Sequence, residues 1–136
     1  MSETVRMFVN GEAMSGGSLH YAIADATFLG QRSTAPGYRF FSVRDEFPGL
    51  HPVAQGGRTV PGELYEVTYQ MLRERLLPNE PRELELGVIE LDNGEGSLSM
   101  RMREDALGLP GVVDISDRGG WRSHQQGTSD SGPGAS

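Results

Sequence analysis

Val60-Pro61-Gly62-Glu63-Leu64-Tyr65-Glu66-Val67-Thr68-Tyr69-Gln70-Met71-Leu72-Arg73-Glu74-Arg75-Leu76-Leu77-Pro78-Asn79-Glu80-Pro81 is the stretch that decides the fold. Its first part, with Thr59, alternates apolar and polar residues up to Val67, the period of a half-buried strand. Pro61 cannot donate to a ladder, which assigns it to an edge position or a bulge. From Thr68 to Leu77 the period changes. Thr68 is an N-cap residue, and Met71, Leu72 and Arg75-Leu76 recur at i, i+1, i+4 and i+5, an amphipathic helix. Pro78 and Pro81 stop that helix and stiffen the loop that holds Glu80.

Working outward, the signals are short strands broken by turns. Val5–Val9 reads as a strand ending at Asn10-Gly11, and Ser18 can cap a short helix carrying Leu19, Ala22, Ile23 and Ala26. Ala26–Arg32 and Tyr38–Val43 read as strands joined at Ala35-Pro36-Gly37. Asp45–Gly49 reads as a loop and Leu50–Ala54 as a brief strand. Leu84–Leu91 and Gly96–Met102 form a hairpin around Asp92-Asn93-Gly94. Residues 103 to 113 are mixed, with room for one helical turn. From His124 the chain is rich in Gly, Ser and Gln, with too little apolar surface to offset its ordering entropy. The expectation is one domain over residues 1–122 and a disordered tail over 123–136.

At 136 residues the chain is long enough for a single core without staples. It has no cysteine, which excludes disulfides, thiolate nucleophiles and cysteine metal sites. Its net charge of −7 argues against nucleic acid and anionic membrane as partners. No run reaches the apolar length of a membrane span, and Met1–Arg6 has neither the basic nor the apolar part of a signal peptide. A cytoplasmic location is the resulting expectation.

Four blocks stand in a fixed order: Phe8–Met14, a glycine turn after the first strand; Tyr38–Val43; Val60–Val67, running into the helix and Glu80; and Leu84–Leu91 before Asp92-Asn93-Gly94. This order resembles the γ-glutamyl cyclotransferase-like superfamily. Val9–Gly16, Thr34-Ala35-Pro36-Gly37-Tyr38-Arg39 and Leu86–Gly94 are similar to the branch found as the C-terminal domain of allophanate hydrolase and as free-standing relatives. The resemblance implies an α+β fold, a mixed β-barrel with two or three helices. It also implies a loop glutamate acting as general acid/base, here Glu80. The substrate's anionic end would be bound by the turn formed by Asn10, Gly11, Glu12, Ala13 and Met14, with Tyr38 nearby. The implied substrate is a small amide or carbamate, handled by acyl transfer, cyclisation or hydrolysis without a cofactor. The alternative is a non-catalytic module that self-associates as a homodimer or binds an amidase-type partner. This chain departs from the family pattern in having Asn10 for tyrosine, Glu12 in the anion turn, and Ala13 where the allophanate branch often has histidine.

The residues also have plainer readings. A lone loop glutamate such as Glu80 is commonly solvated. Glu63, Glu66, Glu83, Glu85 and Glu90 are expected to face water. His20, His51 and His124 are too far apart for a metal site, so no metal is expected. Ser15-Gly16-Gly17-Ser18 lacks the Gly-Lys-Ser/Thr ending of a phosphate loop. Trp121 reads as an apolar plug that holds the C-terminal segment to the core.

Overall fold

The apolar runs become strands of one curled sheet in the computed structural model, which describes residues 3–130. The strands are β1 (Thr4–Val9), β2 (Thr27–Ser33), β3 (Tyr38–Val43), β4 (Phe47–Pro52), β5 (Pro61–Thr68), β6 (Leu84–Glu90), β7 (Gly96–Met102) and β8 (Val112–Asp114). Their order is β2-β5-β1-β7-β4-β3-β8, with β6 pairing along β7. β1 runs antiparallel to β5 but parallel to β7, and β4 is parallel to β7, so the sheet is mixed. A bridge between Thr34 and Leu91, with Asp92 N–H donating to Ser33 O at 2.9 Å, draws β2 towards β6 and curls the sheet into a barrel-like form. The α+β mixed barrel expected from the sequence is the fold observed.

Inside lie Met7, Phe8, Ile23, Phe40, Leu50, Leu76, Leu91, Ile115 and Trp121, all buried. Each large apolar side chain taken from water contributes roughly 1.5–3 kcal/mol. A second, smaller cluster joins Val43, Leu84, Met102 and Ala106.

The helix after β5 starts as read. Thr68 Oγ1 accepts from Met71 N–H at 3.0 Å and caps α1 (Tyr69–Met71). The chain then widens into a π-turn over Leu72–Leu76 and tightens into a 3-10 turn over Leu77–Asn79 that contains Pro78. Glu80 follows in extended backbone, φ −81° and ψ 143°, the region to which a residue before proline is confined. Pro61 is the first residue of β5, a position that needs no ladder donor.

Three expectations are corrected. Phe47-Pro48-Gly49 belongs to β4 rather than to a loop; β4 meets β7 only near Leu50, so around Pro48 one edge is open and tolerates a missing N–H. Val112–Asp114, at the end of the mixed segment and one residue past it, is an edge strand on β3. Most consequentially, the segment expected to be disordered from residue 123 instead continues a helix, α2 (Trp121–Asp130). Specific side-chain contacts hold it where composition alone supplies no stability. The remainder of that expectation, residues 131 to 136, lies outside the described residues.

Candidate active site

β1 ends at Val9, and the chain turns back within four residues, Met14 N–H donating to Gly11 O at 3.1 Å. The turn leaves the N–H groups of Gly11, Glu12 and Ala13 with no acceptor among the described residues. Three adjacent donors in a tight turn make a concavity suited to an anion or a polarised oxygen. Gly11 is required by space rather than by its dihedrals, because a Cβ there would run into the ring of Pro48.

Opposite this turn is the Asn79-Glu80-Pro81 loop. Between them lies a cavity of about 260 Å³, floored by Met7, Phe8, Ser99 and Met100 and closed on a third side by Glu46, Phe47 and Pro48. Ser18, Leu19 and the exposed Tyr21 form its rim. Glu80 lines this cavity, and its carboxylate has no hydrogen bond or ion pair among the described residues. Among the described residues, no Lys, Arg or His lines the cavity. Burial without a compensating partner disfavours the charged form and pushes the Glu80 carboxyl up to about 7. Such a group is protonated about half the time near neutral pH, the condition for both taking and returning a proton.

The other carboxylate of the turn behaves differently. Glu12 Oε1 accepts from Ser18 N–H at 3.0 Å and Ser18 Oγ–H at 2.8 Å, and its Oε2 accepts from Trp121 Nε1–H at 2.6 Å and Gln125 Nε2–H at 3.3 Å. Burial alone would raise its pKa, but these hydrogen bonds outweigh it and hold the group ionised, below the usual range. Glu12 therefore ties α2 to the turn and leaves the turn's N–H groups without an internal anion.

Glu63 does not face water as expected. It is 2% exposed and accepts from Ser15 N–H (2.7 Å), Ser15 Oγ–H (2.8 Å), Tyr65 Oη–H (2.9 Å) and Arg122 (3.1 Å). Its pKa is lowered: burial opposes ionisation, and these four donors prevail. Burial and the Glu63 carboxylate together raise the Tyr65 phenol to about 12.

α2 reaches the third wall as well. His124, 5% exposed, donates Nε2–H to Asp45 Oδ1 at 2.7 Å while its Nδ1 accepts from Arg118 at 3.1 Å. Arg44 and Asp45 are the central residues of the turn Val43–Glu46 that leads from β3 into β4, both at positive φ (53° and 57°), a conformation usually given to Asn-Gly. Holding two such residues costs about 1–3 kcal/mol each, and they persist only where neighbours over-determine them. His124 on Asp45, and Glu46 and Glu83 on Arg44, supply that constraint next to the cavity wall.

Of the residues singled out in the sequence, the fold brings Asn10, Gly11, Glu12, Ala13 and Glu80 to one cavity. Met14 lies behind the turn, in a separate hollow against Trp121. Tyr38 is away from the cavity; it is buried, and its hydroxyl accepts from Glu90 N–H at 2.8 Å, fastening β3 to β6. His20 and His51 serve backbone carbonyls, each with Nδ1 3.0 Å from one, of Ala13 and Met102 respectively. Trp121 is a core residue, as expected, and also a donor. The sequence reading missed Phe47-Pro48, which follow a turn at positive φ without glycine, and the α2 contacts, whose partners are remote in the chain.

Residues 5–126 match the family described as the allophanate hydrolase C-terminal domain. A urea amidolyase of Saccharomyces cerevisiae is 27% identical over an alignment of 130 positions that covers 90% of this chain but 7% of that protein. The chain thus spans a small part of the curated relatives it matches. An allophanate hydrolase structure from Kluyveromyces lactis superposes with a TM-score of 0.86 at 27% identity, covering 93% of this chain and 22% of that one. The uropathogenic E. coli-specific protein c4763 superposes at 0.84 with 28% identity, covering 91% of this chain and 97% of that one. The fold occurs both within longer enzymes and as a nearly free-standing unit.

Proposed function

This chain belongs to the allophanate hydrolase C-terminal domain family, and from that premise we propose that it is a small-molecule enzyme acting on an amide or carbamate, with Glu80 as general acid/base. The observation that carries this reading is the unpaired Glu80 carboxyl, pushed up to about 7 in a cavity that also holds the acceptor-free turn of Gly11, Glu12 and Ala13.

The substrate's carboxylate or carbonyl oxygen rests on the turn N–H groups. There, developing negative charge is stabilised by donors that need no reorganisation. Ionised Glu80 takes a proton from the attacking amine or water as its bond to the carbonyl carbon forms. The carbon–nitrogen bond to the leaving group then breaks, and Glu80 returns the proton to the departing nitrogen. The carboxyl ends as it began, so the cycle requires no further proton source. Of the lining carboxylates, Glu12 is engaged by Ser18, Trp121 and Gln125 and Glu46 by Arg44, which favours Glu80, without a partner among the described residues, as the proton carrier.

The test is mass-spectrometric product detection after incubation with γ-glutamyl amides, carbamates and acylureas, beside Glu80→Gln. Turnover lost in the variant supports the reading. Turnover equal in both proteins removes Glu80 from the mechanism. No turnover across the panel shifts the account to a non-catalytic module that binds an amidase-type partner or itself.

A further inference from the structure

The Glu80 side chain has nothing of its own to keep it in the cavity. Its carboxyl makes no hydrogen bond or ion pair among the described residues, so burial costs the ionised form and gives no contact in return. Left free, such a group turns towards water when it ionises. The backbone has to hold it inward, and the outer side of its loop is bare, with Pro78 and Asn79 both exposed.

The restraint comes from the end of the helix. Leu77 N–H donates to Leu72 O, which widens this turn by one residue. One added residue rotates everything downstream by about 100° around the axis. Leu72 and Leu76, both buried, keep the helix from turning back as a body. Pro78 has no N–H, so the last helix carbonyls are short of one donor. Asn79 provides another: its Nδ2–H donates to Arg75 O at 2.6 Å. Glu80 N–H then donates to Leu77 O at 3.2 Å, and Leu84 N–H to Pro81 O at 3.1 Å. Among the described residues, the Asn79 contact is the only side-chain hydrogen bond made by residues 77 to 81.

We propose that Asn79 is a positioning residue: by clamping Arg75 O it sets the backbone direction that aims the Glu80 carboxyl into the cavity. This rests on Glu80 being the acid/base of the proposed function, and it names the side chain that makes Glu80 available for that role. Without the clamp Glu80 turns to solvent and its carboxyl behaves as an ordinary glutamate. The barrel stays folded, because the clamp lies on an exposed loop and its one acceptor is the carbonyl of the exposed Arg75. A cap that served the helix alone would lower stability and leave Glu80 as it was.

The experiment uses the full chain and two variants: Asn79→Leu, which keeps the volume and removes the donor, and Asn79→Gln, which keeps an amide donor. In each, the Glu80 carboxyl is titrated by ¹³C NMR and the melting temperature is recorded. The expected midpoint is near 7 in wild type and falls in Asn79→Leu towards the value of a solvated glutamate, about 4–4.5, with the melting temperature little changed. Asn79→Gln lies between the two and nearer wild type. On a panel substrate that wild type turns over, Asn79→Leu loses about tenfold or more in kcat with KM little changed. A midpoint that stays near 7 in Asn79→Leu overturns the proposal and makes Asn79 a helix cap only, whatever the melting temperature does. An equal fall in both variants also overturns it, because lost shape rather than the lost donor then explains the change. A wild-type midpoint of about 4–4.5 removes Glu80 from the mechanism and the role of Asn79 with it, so the two failures are read separately.

Discussion

Trp121 donates its indole N–H to Glu12 Oε2 at 2.6 Å, so the last helix is hydrogen-bonded to the first turn of the chain. The same helix reaches Glu63 through Arg122 and Asp45 through His124. Two of the cavity's three walls therefore depend on a segment with almost no apolar content beyond Trp121.

Trp121→Phe keeps a buried ring and removes the donor. A hydrogen bond to a charged group contributes about 1.5–3 kcal/mol, and Glu12 retains Ser18 and Gln125, so a loss of about 2 kcal/mol is expected. Urea unfolding checks the size. Amide hydrogen exchange checks the place: residues 10–14 and 121–127 open first, ahead of the β1–β5 ladder.

Acid should release α2. Glu12 and Glu63 both have folded pKa values below their unfolded ones, so their contribution is complete above about 4.5 and is lost as pH falls through the folded values. Trp121 is the chain's one tryptophan, which makes its fluorescence a direct reporter. Its emission should shift to the red as pH drops below about 4.5, and Glu63→Gln should move that shift to higher pH.

Gly11→Ala places a methyl against the Pro48 ring and separates the turn from the third wall. Such overpacking costs about 1–3 kcal/mol. The expected signature is a modest fall in melting temperature with a disproportionate loss of ligand binding. By contrast Gly108→Ala, where the added methyl meets nothing, changes neither.

Much of this was legible in the sequence, and the exceptions have two causes, partners remote in the chain and a turn that lacks its usual glycine. Strands β1, β2, β3, β6 and β7 announced themselves by apolar runs and local turn residues, Asp92-Asn93-Gly94 above all. The helix cap at Thr68 and the proline-bounded loop at Glu80 are local as well, which is why the candidate site could be placed at all. Glu63 looked like an outward residue because it alternates with Leu64. Its partners Ser15 and Arg122 lie 48 and 59 positions away, and they cover the face it occupies. α2 was misread for the same reason, since its composition favours disorder and its anchors are Glu12, Glu63 and Asp45, all far upstream. The β3–β4 turn hid because Arg44-Asp45 takes positive φ without glycine.

The central claim is that the cavity keeps one unpaired carboxyl that changes protonation near neutrality. A raised folded pKa leaves Glu80 without penalty below its unfolded value and costs stability as pH rises from there to about 7. Glu80→Gln should therefore gain on wild type over that window, by on the order of 2–3 kcal/mol above pH 7. The most direct measurement is the titration of the Glu80 side-chain carboxyl by ¹³C NMR, assigned by its disappearance in Glu80→Gln. A midpoint near 7 is the predicted result. A midpoint of about 4–4.5, the range of a solvated glutamate, would contradict the account.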